Sequence, residues 1–195
     1  MQDNLSDIIC ILDRSGSMES VRSDAIGGFN SFLADQQQQP GDAHFTLVLF
    51  NHDYLLLYDH VGIAQAQPLD NSSYQPQGTT ALLDAVGRTI DDVGQRLAQT
   101  PEPQRPGKVI VAILTDGLEN ASKDYSRSRI AQMIQHQREK YSWEFIFLAA
   151  NQDAIATARE ISIAAQDAVS FAATPDGVRH AHLHMSQEVT RRRRS

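Results

Sequence analysis

The chain has 195 residues, a hydrophobic fraction of 41%, a charged fraction of 21% and a net charge of -7 at pH 7. These values are typical of a soluble globular protein, and the negative charge argues against general affinity for nucleic acid. A single cysteine excludes an internal disulfide, and no apolar run approaches the roughly 20 residues that span a bilayer. The first residues carry neither a basic nor a long apolar region, so we expect no signal peptide, no membrane contact and a cytoplasmic location.

In the first part of the chain, residues 8–12 and 45–50 are nearly continuous in apolar character, which predicts strands covered by helices on both faces. Residues 21–33 between them have helical periodicity. The pair Gly27-Gly28 lowers helix propensity there. We attribute it to close packing on the sheet, with a local break as the alternative. Residues 36–41 form a loop. A strand at 54–58 follows after only three residues, which predicts an antiparallel hairpin with 45–50.

The second part of the chain continues this alternation. We predict helices at 80–97, 125–139, 153–160 and 176–190, strands at 109–114 and 145–150, and a last edge strand at 168–171. Residues 99–107, with three prolines, form a loop. We see no domain boundary and expect a single domain over residues 1–195. The pattern predicts an α/β fold: a doubly wound, mostly parallel sheet with one antiparallel edge strand and helices on both faces.

Three oxygen-rich segments follow predicted strands or begin a predicted helix. The first carries Asp13, Ser15 and Ser17, the second Thr79 and Thr80, and the third Asp116 within Thr-Asp-Gly. In such sheets ligands bind outside the carboxyl ends of the strands, so the segments should converge there. Hydroxyls and carboxylates suit a hard divalent cation. With so little negative charge around it, the cation could accept a carboxylate from another molecule.

Together these segments resemble the von Willebrand factor A (VWA) domain and its metal-ion-dependent adhesion site, in order and spacing, over nearly the whole chain. Residues 26–30 also resemble small bacterial stand-alone members of that family. The resemblance implies a Rossmann-like fold and a site for Mg²⁺ (or Mn²⁺). It implies hydroxyl ligation by Ser15, Ser17 and Thr80, and ligation mainly through water by Asp13 and Asp116. The expected partner is a protein that presents an Asp or Glu carboxylate.

The resemblance and the motifs together favour a non-enzymatic binding module. One alternative is a regulatory or assembly subunit that works with a separate ATPase or kinase, and the sequence does not separate the two. A second alternative is a Mg²⁺-dependent phosphatase of the haloacid-dehalogenase type. That chemistry needs a second acid two residues after the first aspartate, where this chain has Ser15. There is no Gly-x-Ser-x-Gly elbow and no phosphate-binding loop.

Two further clusters lie near the end of the chain. His180 and His184 would share one helix face while His182 points away, and no carboxylate or cysteine accompanies them at ligand spacing. We therefore do not predict a second metal site. The basic run at 191–194 is expected to favour the negative end of the last helix and to stay solvated.

Three single residues leave a choice of role. Glu119 and Asn120 follow the Thr-Asp-Gly segment, and they either line the rim of the site or simply form a polar loop. Trp143, just before a predicted strand, is interpreted as a core or rim packing residue.

Overall fold

The fold was analysed in a computed structural model that describes residues 1–150 and 154–195. Six strands and five α-helices alternate along these residues. In chain order they are β1 (Gln2–Asp13), α1 (Arg22–Gln37), β2 (Asp42–Phe50), β3 (Tyr54–Gly62), α2 (Leu82–Gln99), β4 (Pro106–Thr115), α3 (Arg127–Tyr141), β5 (Glu144–Ala149), α4 (Ala154–Glu160), β6 (Ala168–Ser170) and α5 (Pro175–Arg194). The predicted element order is confirmed.

The strands form one sheet in the order β3-β2-β1-β4-β5-β6. Every pairing is parallel except that of β3 with β2, so the predicted antiparallel hairpin at the edge is confirmed. The order reverses between β1 and β4, the two central strands. Loops that follow β1 and β4 therefore leave the sheet side by side, which creates a crevice at its carboxyl edge.

Helices cover both faces of the sheet, as predicted. The side chains of Ile8, Cys10 and Leu12 on β1 join a core with α1 and α5. Ile9 and Ile11 point the other way, into a core with α2, α3 and α4. Because successive side chains of a strand alternate between faces, a strand buried on both sides has to be apolar throughout. Within the described residues no helix is both long and apolar enough to cross a bilayer.

Several elements extend beyond their predicted bounds because polar residues carry no apolar signal. Strand β1 begins at Gln2, which pairs with Pro106 of β4. The first residues of the strand are exposed. Helix α1 continues to Gln37, so the loop prediction was wrong for its first two residues. Gln36 is fully buried, and its side-chain amide donates to the Ser186 carbonyl at 3.1 Å. The predicted helix start at residue 153 lies outside the described residues.

Gly28 packs on another helix and not on the sheet, which corrects our expectation for the Gly27-Gly28 pair. An added Cβ at Gly28 would come within 2.7 Å of Nδ1 of His182 on α5. At Gly27 a Cβ would meet nothing within 4 Å. Helix α1 runs through both glycines without a break. Only Gly28 is therefore required for the close approach of α1 and α5.

The basic run at the end of α5 is not a solvated tail, which corrects a second expectation. Arg192 is buried, and its guanidinium pairs with Glu144 at 2.9 Å and with Asp167 at 2.6 Å. Lys108 of β4 donates to the carbonyl of Arg192 at 2.9 Å. Arg193 donates to the main-chain carbonyl of Gln36 at 2.7 Å. The end of α5 is thereby fastened to the amino edge of the sheet.

Candidate metal centre

Asp13 is the last residue of β1, and its fully buried carboxylate is held from two sides. One oxygen accepts a hydrogen bond from the Ser15 backbone N–H at 2.6 Å, and the other accepts from the Thr115 hydroxyl, also at 2.6 Å. The Tyr74 hydroxyl donates to the main-chain carbonyl of Asp13 at 2.5 Å. These contacts fix the carboxylate at the crevice between β1 and β4.

Two serine hydroxyls connect the first loop to the third. The Ser15 and Ser17 hydroxyl oxygens lie 3.1 Å apart, and Ser17 donates to a carboxylate oxygen of Asp116 at 2.7 Å. The Gly16 backbone N–H donates to the Gly78 carbonyl at 3.0 Å, which fastens the first loop to the second. The structure therefore brings Ser15, Ser17 and Asp116 into one contiguous set of oxygens.

Thr80, and not Thr79, faces this set. Thr80 is buried while Thr79 is exposed. A Cβ added to Gly117 would come within 2.8 Å of the Thr80 hydroxyl oxygen and 3.6 Å of an Asp13 carboxylate oxygen. The absent side chain at Gly117 thus leaves a small space that the threonine hydroxyl and the aspartate carboxylate both border. Thr80 precedes α2, which begins two residues later than predicted.

Glu119 and Asn120 hold the second loop in place through hydrogen bonds, a role that the sequence did not reveal. Asn120 accepts from the Thr80 backbone N–H at 2.9 Å, and its own N–H donates to the Thr80 carbonyl at 3.0 Å. Glu119 accepts from the backbone N–H of Leu83 in the first turn of α2 at 2.9 Å. An acid at a helix N-terminus satisfies free N–H groups and the helix dipole. The third loop is therefore locked to the second.

Thr115 and Tyr74 also hold Asp13 without having been predicted. Thr115 immediately precedes Asp116 in the Thr-Asp-Gly segment, so its position offered a signal. Tyr74 lies in an irregular segment 61 residues from Asp13 along the chain, and no local pattern marks it.

The electrostatics of the two acids favour a bound cation. Burial raises the pKa of Asp13, partly offset by its hydrogen bonds from Thr115 and Ser15. Burial and the neighbouring Asp13 charge raise the pKa of Asp116 to about 6, although the hydrogen bond from Ser17 lowers it. Burial opposes the ionisation of both carboxylates, and the Asp13 charge also opposes that of Asp116. A positive ion beside them would reduce both penalties.

The residues present fit a small divalent cation. The 3.1 Å between the Ser15 and Ser17 hydroxyl oxygens is close to the separation of neighbouring Mg²⁺ ligands, about 2.9 Å for octahedral geometry at 2.0–2.1 Å. No group of three or more His, Cys, Asp and Glu side chains in the described part of the chain is arranged to hold a metal. Any metal here would therefore depend on hydroxyl ligands.

The histidines of α5 do not form a competing site. His182 is buried, and its Nδ1 lies 3.0 Å from the Val178 carbonyl, whereas His180 is exposed. The two rings thus point in different directions, as predicted. Burial lowers the pKa of His182 to about 4. Trp143 is buried and stacks on Phe145 with ring centroids 6.3 Å apart, as expected for a packing residue.

The fold and the site together define a class of protein. A family model for the von Willebrand factor type A domain matches residues 7–182. The chain belongs to this family. A comparison with curated protein sequences gave no match.

Solved structures with the same fold are distant in sequence. Proximal thread matrix protein 1 from the mussel byssus, with a zinc-occupied MIDAS motif, shares 15% identity at a TM-score of 0.64, over 95% of this chain and 46% of that one. The pilus adhesin SpaC from Lactobacillus rhamnosus GG shares 14% at a TM-score of 0.67, over 94% and 30%. Manganese-loaded TRAP from Plasmodium vivax shares 16% at a TM-score of 0.53, over 78% and 59%.

The chain spans less than half the length of the mussel and Lactobacillus proteins. At these identities the likeness concerns the fold alone.

Proposed function

We propose that this protein is a metal-dependent protein-binding module whose metal centre captures an acidic residue of a partner. The observation that carries the proposal is the contiguous set of oxygens from Ser15 through Ser17 to Asp116, beside the fixed carboxylate of Asp13 and the Thr80 hydroxyl. Mg²⁺, or Mn²⁺, is the expected ion, because both prefer oxygen ligands. Zinc and manganese are the ions named for two of the similar structures.

Each residue has a distinct part in this proposal. The hydroxyls of Ser15, Ser17 and Thr80 would ligate the ion directly, and the carboxylates of Asp13 and Asp116 would act mainly through water. A bound ion would supply a Lewis-acidic position that accepts a partner carboxylate. Since three of the five ligands are neutral, the charge of the ion would be poorly compensated, and an incoming Asp or Glu would gain strongly.

The same residues argue against a hydrolase. A phosphatase that uses Asp13 as nucleophile would need an acid at position 15, but the Ser15 hydroxyl lies 3.1 Å from the Ser17 hydroxyl and carries no charge. Both oxygens of Asp13 are also engaged, by the Ser15 N–H and the Thr115 hydroxyl.

Calorimetric titration with Mg²⁺ and Mn²⁺ tests the metal centre. Ser17→Ala removes an exposed hydroxyl with little risk to folding, and Asp116→Ala removes a carboxylate. Asp3→Ala, at the opposite end of β1, is the matched control. We expect both site variants to lose at least about tenfold in affinity, with the control unchanged. Equal Mg²⁺ affinity in all four proteins would overturn the proposal.

Partner capture tests the second half of the proposal. Proteins retained by the wild-type chain in Mg²⁺ should be released by a chelator and should not be retained by Ser17→Ala. Replacing one acidic residue of such a partner by its amide should abolish binding. A partner that binds equally well with chelator would show that the surface used is not the metal edge.

A further inference from the structure

A second concave site lies at the opposite edge of the sheet from the metal centre. It is a cavity of about 710 Å³ between the C-terminal halves of α2 and α3, above the first residues of β4 and beside Trp143, which precedes β5. Its volume is within the range of about 300–1,000 Å³ that is typical of small-molecule sites. Nothing in the proposed metal-dependent function uses it.

The floor of this cavity is apolar and is built around Trp143. Ser142 adopts a left-handed conformation at the end of α3 (φ 56°), and the backbone N–H of Trp143 then donates to the Gln137 carbonyl at 3.1 Å. This turn carries the indole beneath the two helices, where Ile90 and Leu97 of α2 complete the floor. Trp143 and Ile90 are buried, so only their outer atoms face the cavity, whereas the ring of Tyr141 on its wall is exposed. Together these side chains favour an apolar ligand body.

A glycine on α2 keeps the cavity open. Gly94 lies on its wall, and the nearest atom that an added Cβ would meet is Nε2 of Gln137 at 3.7 Å. A Cβ at this position would therefore make only an ordinary van der Waals contact, and a longer side chain would extend from the wall of the cavity. Glycine lowers helix propensity by about 1 kcal/mol relative to alanine, and helix packing at Gly94 does not require it.

The charges at the mouth of the cavity are opposite in sign to the net charge of the protein. Lys140 and Arg105 line it, and the only carboxylate among its lining residues, Asp91, already accepts a hydrogen bond from the Tyr125 hydroxyl at 2.7 Å. Arg105 donates to the Thr100 carbonyl through Nε at 2.8 Å and to the Ala98 carbonyl through Nη2 at 3.3 Å, which holds its guanidinium beside the end of α2. In a chain of net charge -7 this local excess of cations favours an anion.

We propose that this cavity binds a small organic anion with an apolar body, such as an aromatic or aliphatic carboxylate or sulfonate. The apolar body would lie against the exposed ring of Tyr141, over the edge of Trp143, and the anionic group would face Lys140 and Arg105. The site is independent of the metal centre, since the two lie at opposite edges of the sheet.

Anilinonaphthalene sulfonate is a suitable probe, and its uncharged parent, phenylnaphthylamine, reports on the role of charge. The chain contains one tryptophan, so quenching of Trp143 fluorescence follows occupancy directly. Titrations are carried out in chelator, which separates this site from any metal-dependent one. We expect the sulfonate to bind the wild-type chain more tightly than the neutral probe.

Two pairs of variants test the location and the charge. Gly94→Leu places a side chain on the wall of the cavity and narrows it, and Gly27→Leu is its control on α1, where an added Cβ meets nothing within 4 Å. Lys140→Glu reverses the charge at the mouth of the cavity. Lys123→Glu is its control, because it makes the same charge reversal outside the cavity. We expect the dissociation constant of the sulfonate to rise about tenfold in Gly94→Leu and about threefold or more in Lys140→Glu, equivalent to 1.4 kcal/mol and about 0.7 kcal/mol. The controls should stay within a factor of about two.

Three results would overturn the proposal. The first is the absence of sulfonate binding to the wild-type chain. The second is an unchanged affinity in Gly94→Leu, which would place the probe elsewhere. The third is an unchanged affinity in Lys140→Glu together with equal binding of the neutral probe. All three leave the metal-dependent function untouched, because Mg²⁺ titration of the same variants reports on that separately.

Discussion

Gly28 of α1 lies directly against the imidazole ring of His182 on α5, and a single added carbon at Gly28 would be 2.7 Å from Nδ1 of that ring. This contact sets the distance between the two helices that cover one face of the sheet. It gives two predictions, one about packing and one about pH.

Gly28→Ala should destabilise the protein, because the methyl group overlaps a buried ring. Overpacking of this kind costs typically about 1–3 kcal/mol. Gly27→Ala, the neighbouring substitution, should instead stabilise by up to about 1 kcal/mol, since it raises helix propensity in open space. Urea denaturation of both variants measures the free energies of unfolding. Equal effects of the two substitutions would contradict the packing argument.

His182 should make the protein less stable in acid. Burial lowers its pKa from 6.5 to about 4. The unfolded chain therefore takes up a proton below pH 6.5 while the folded one does not, and stability is lost as the pH falls from 6.5 towards 4. The loss attributable to this group at pH 4.5 is roughly 2 kcal/mol relative to pH 7.

Denaturation at both pH values with wild type and His182→Leu isolates the contribution of this group. The variant should have a flatter pH dependence than the wild type between pH 7 and 4.5. Identical slopes would mean that His182 is not buried in its neutral form.

Asn120→Ala should weaken metal binding without removing a proposed ligand. Asn120 holds Thr80 through reciprocal hydrogen bonds at 2.9 Å and 3.0 Å, so its loss frees the threonine hydroxyl to move. Changes in groups that orient metal ligands typically cost about 10–100-fold in affinity. Mg²⁺ titration, with Asn4→Ala on β1 as a control, measures the effect. An unchanged affinity would show that Thr80 does not need this support or is not a ligand.

Metal binding should weaken below about pH 6. The pKa of Asp116 in the metal-free folded state is raised to about 6 by burial and by Asp13, so protons compete with the ion below that value. Affinity should fall by up to about tenfold per pH unit for one competing proton. Asp116→Asn should bind more weakly and with a smaller pH dependence. Calorimetry at pH 5, 6 and 7 makes the comparison.

The raised pKa of Asp116 predicts a pH dependence of folding stability that is opposite in sign to the one predicted for His182. Because the folded pKa of Asp116 lies above its unfolded value of 3.8, its contribution to metal-free stability falls as the pH rises from 3.8 to about 6. Millimolar Mg²⁺ should reverse this loss at pH 7, since an ion that binds only the folded state stabilises it. Thermal melts with Mg²⁺ and with chelator would reveal the difference.

Arg192→Ala should be the most destabilising change in the basic run. Removing the buried guanidinium leaves Glu144 and Asp167 without their partner, but both carboxylates are partly exposed. The cost should therefore lie below the about 3–5 kcal/mol of a fully buried pair. Arg191→Ala removes an exposed pair with Glu188 and should cost less than about 1 kcal/mol. Thermal denaturation of both variants compares them directly. Similar melting temperatures would show that the run is solvated after all.

The parts of this fold that the sequence predicted are those with a local signal. Apolar runs such as residues 8–12 and 109–114 mark buried central strands, and the acids that follow them have to lie at the carboxyl edge. Asp13, Ser15 and Ser17 were found together because they share one loop. Thr80 was chosen over Thr79 from the family resemblance, and its burial agrees with that choice.

The parts that could not be predicted depend on contacts between distant segments. Tyr74, Asn120 and Arg192 each act on a residue at least 25 positions away, and nothing beside them in the sequence indicates a partner. Gln36 belongs to a run of glutamines that is typical of a loop, yet it is buried against α5. In each case a polar side chain is fixed by tertiary structure that local patterns do not encode.

The two ends of the chain lie at the same side of the molecule. Met1 lines the cavity at the amino edge of the sheet, and the Ser195 hydroxyl lies 3.1 Å from Lys108 near the start of β4. The metal loops are at the other end of β1, a strand of 12 residues and therefore roughly 35 Å long at 3.3 Å per residue. A bead, a sensor surface or a fused protein attached at either terminus would leave these loops pointing away from the support. Immobilised binding assays can thus use either end without masking the site.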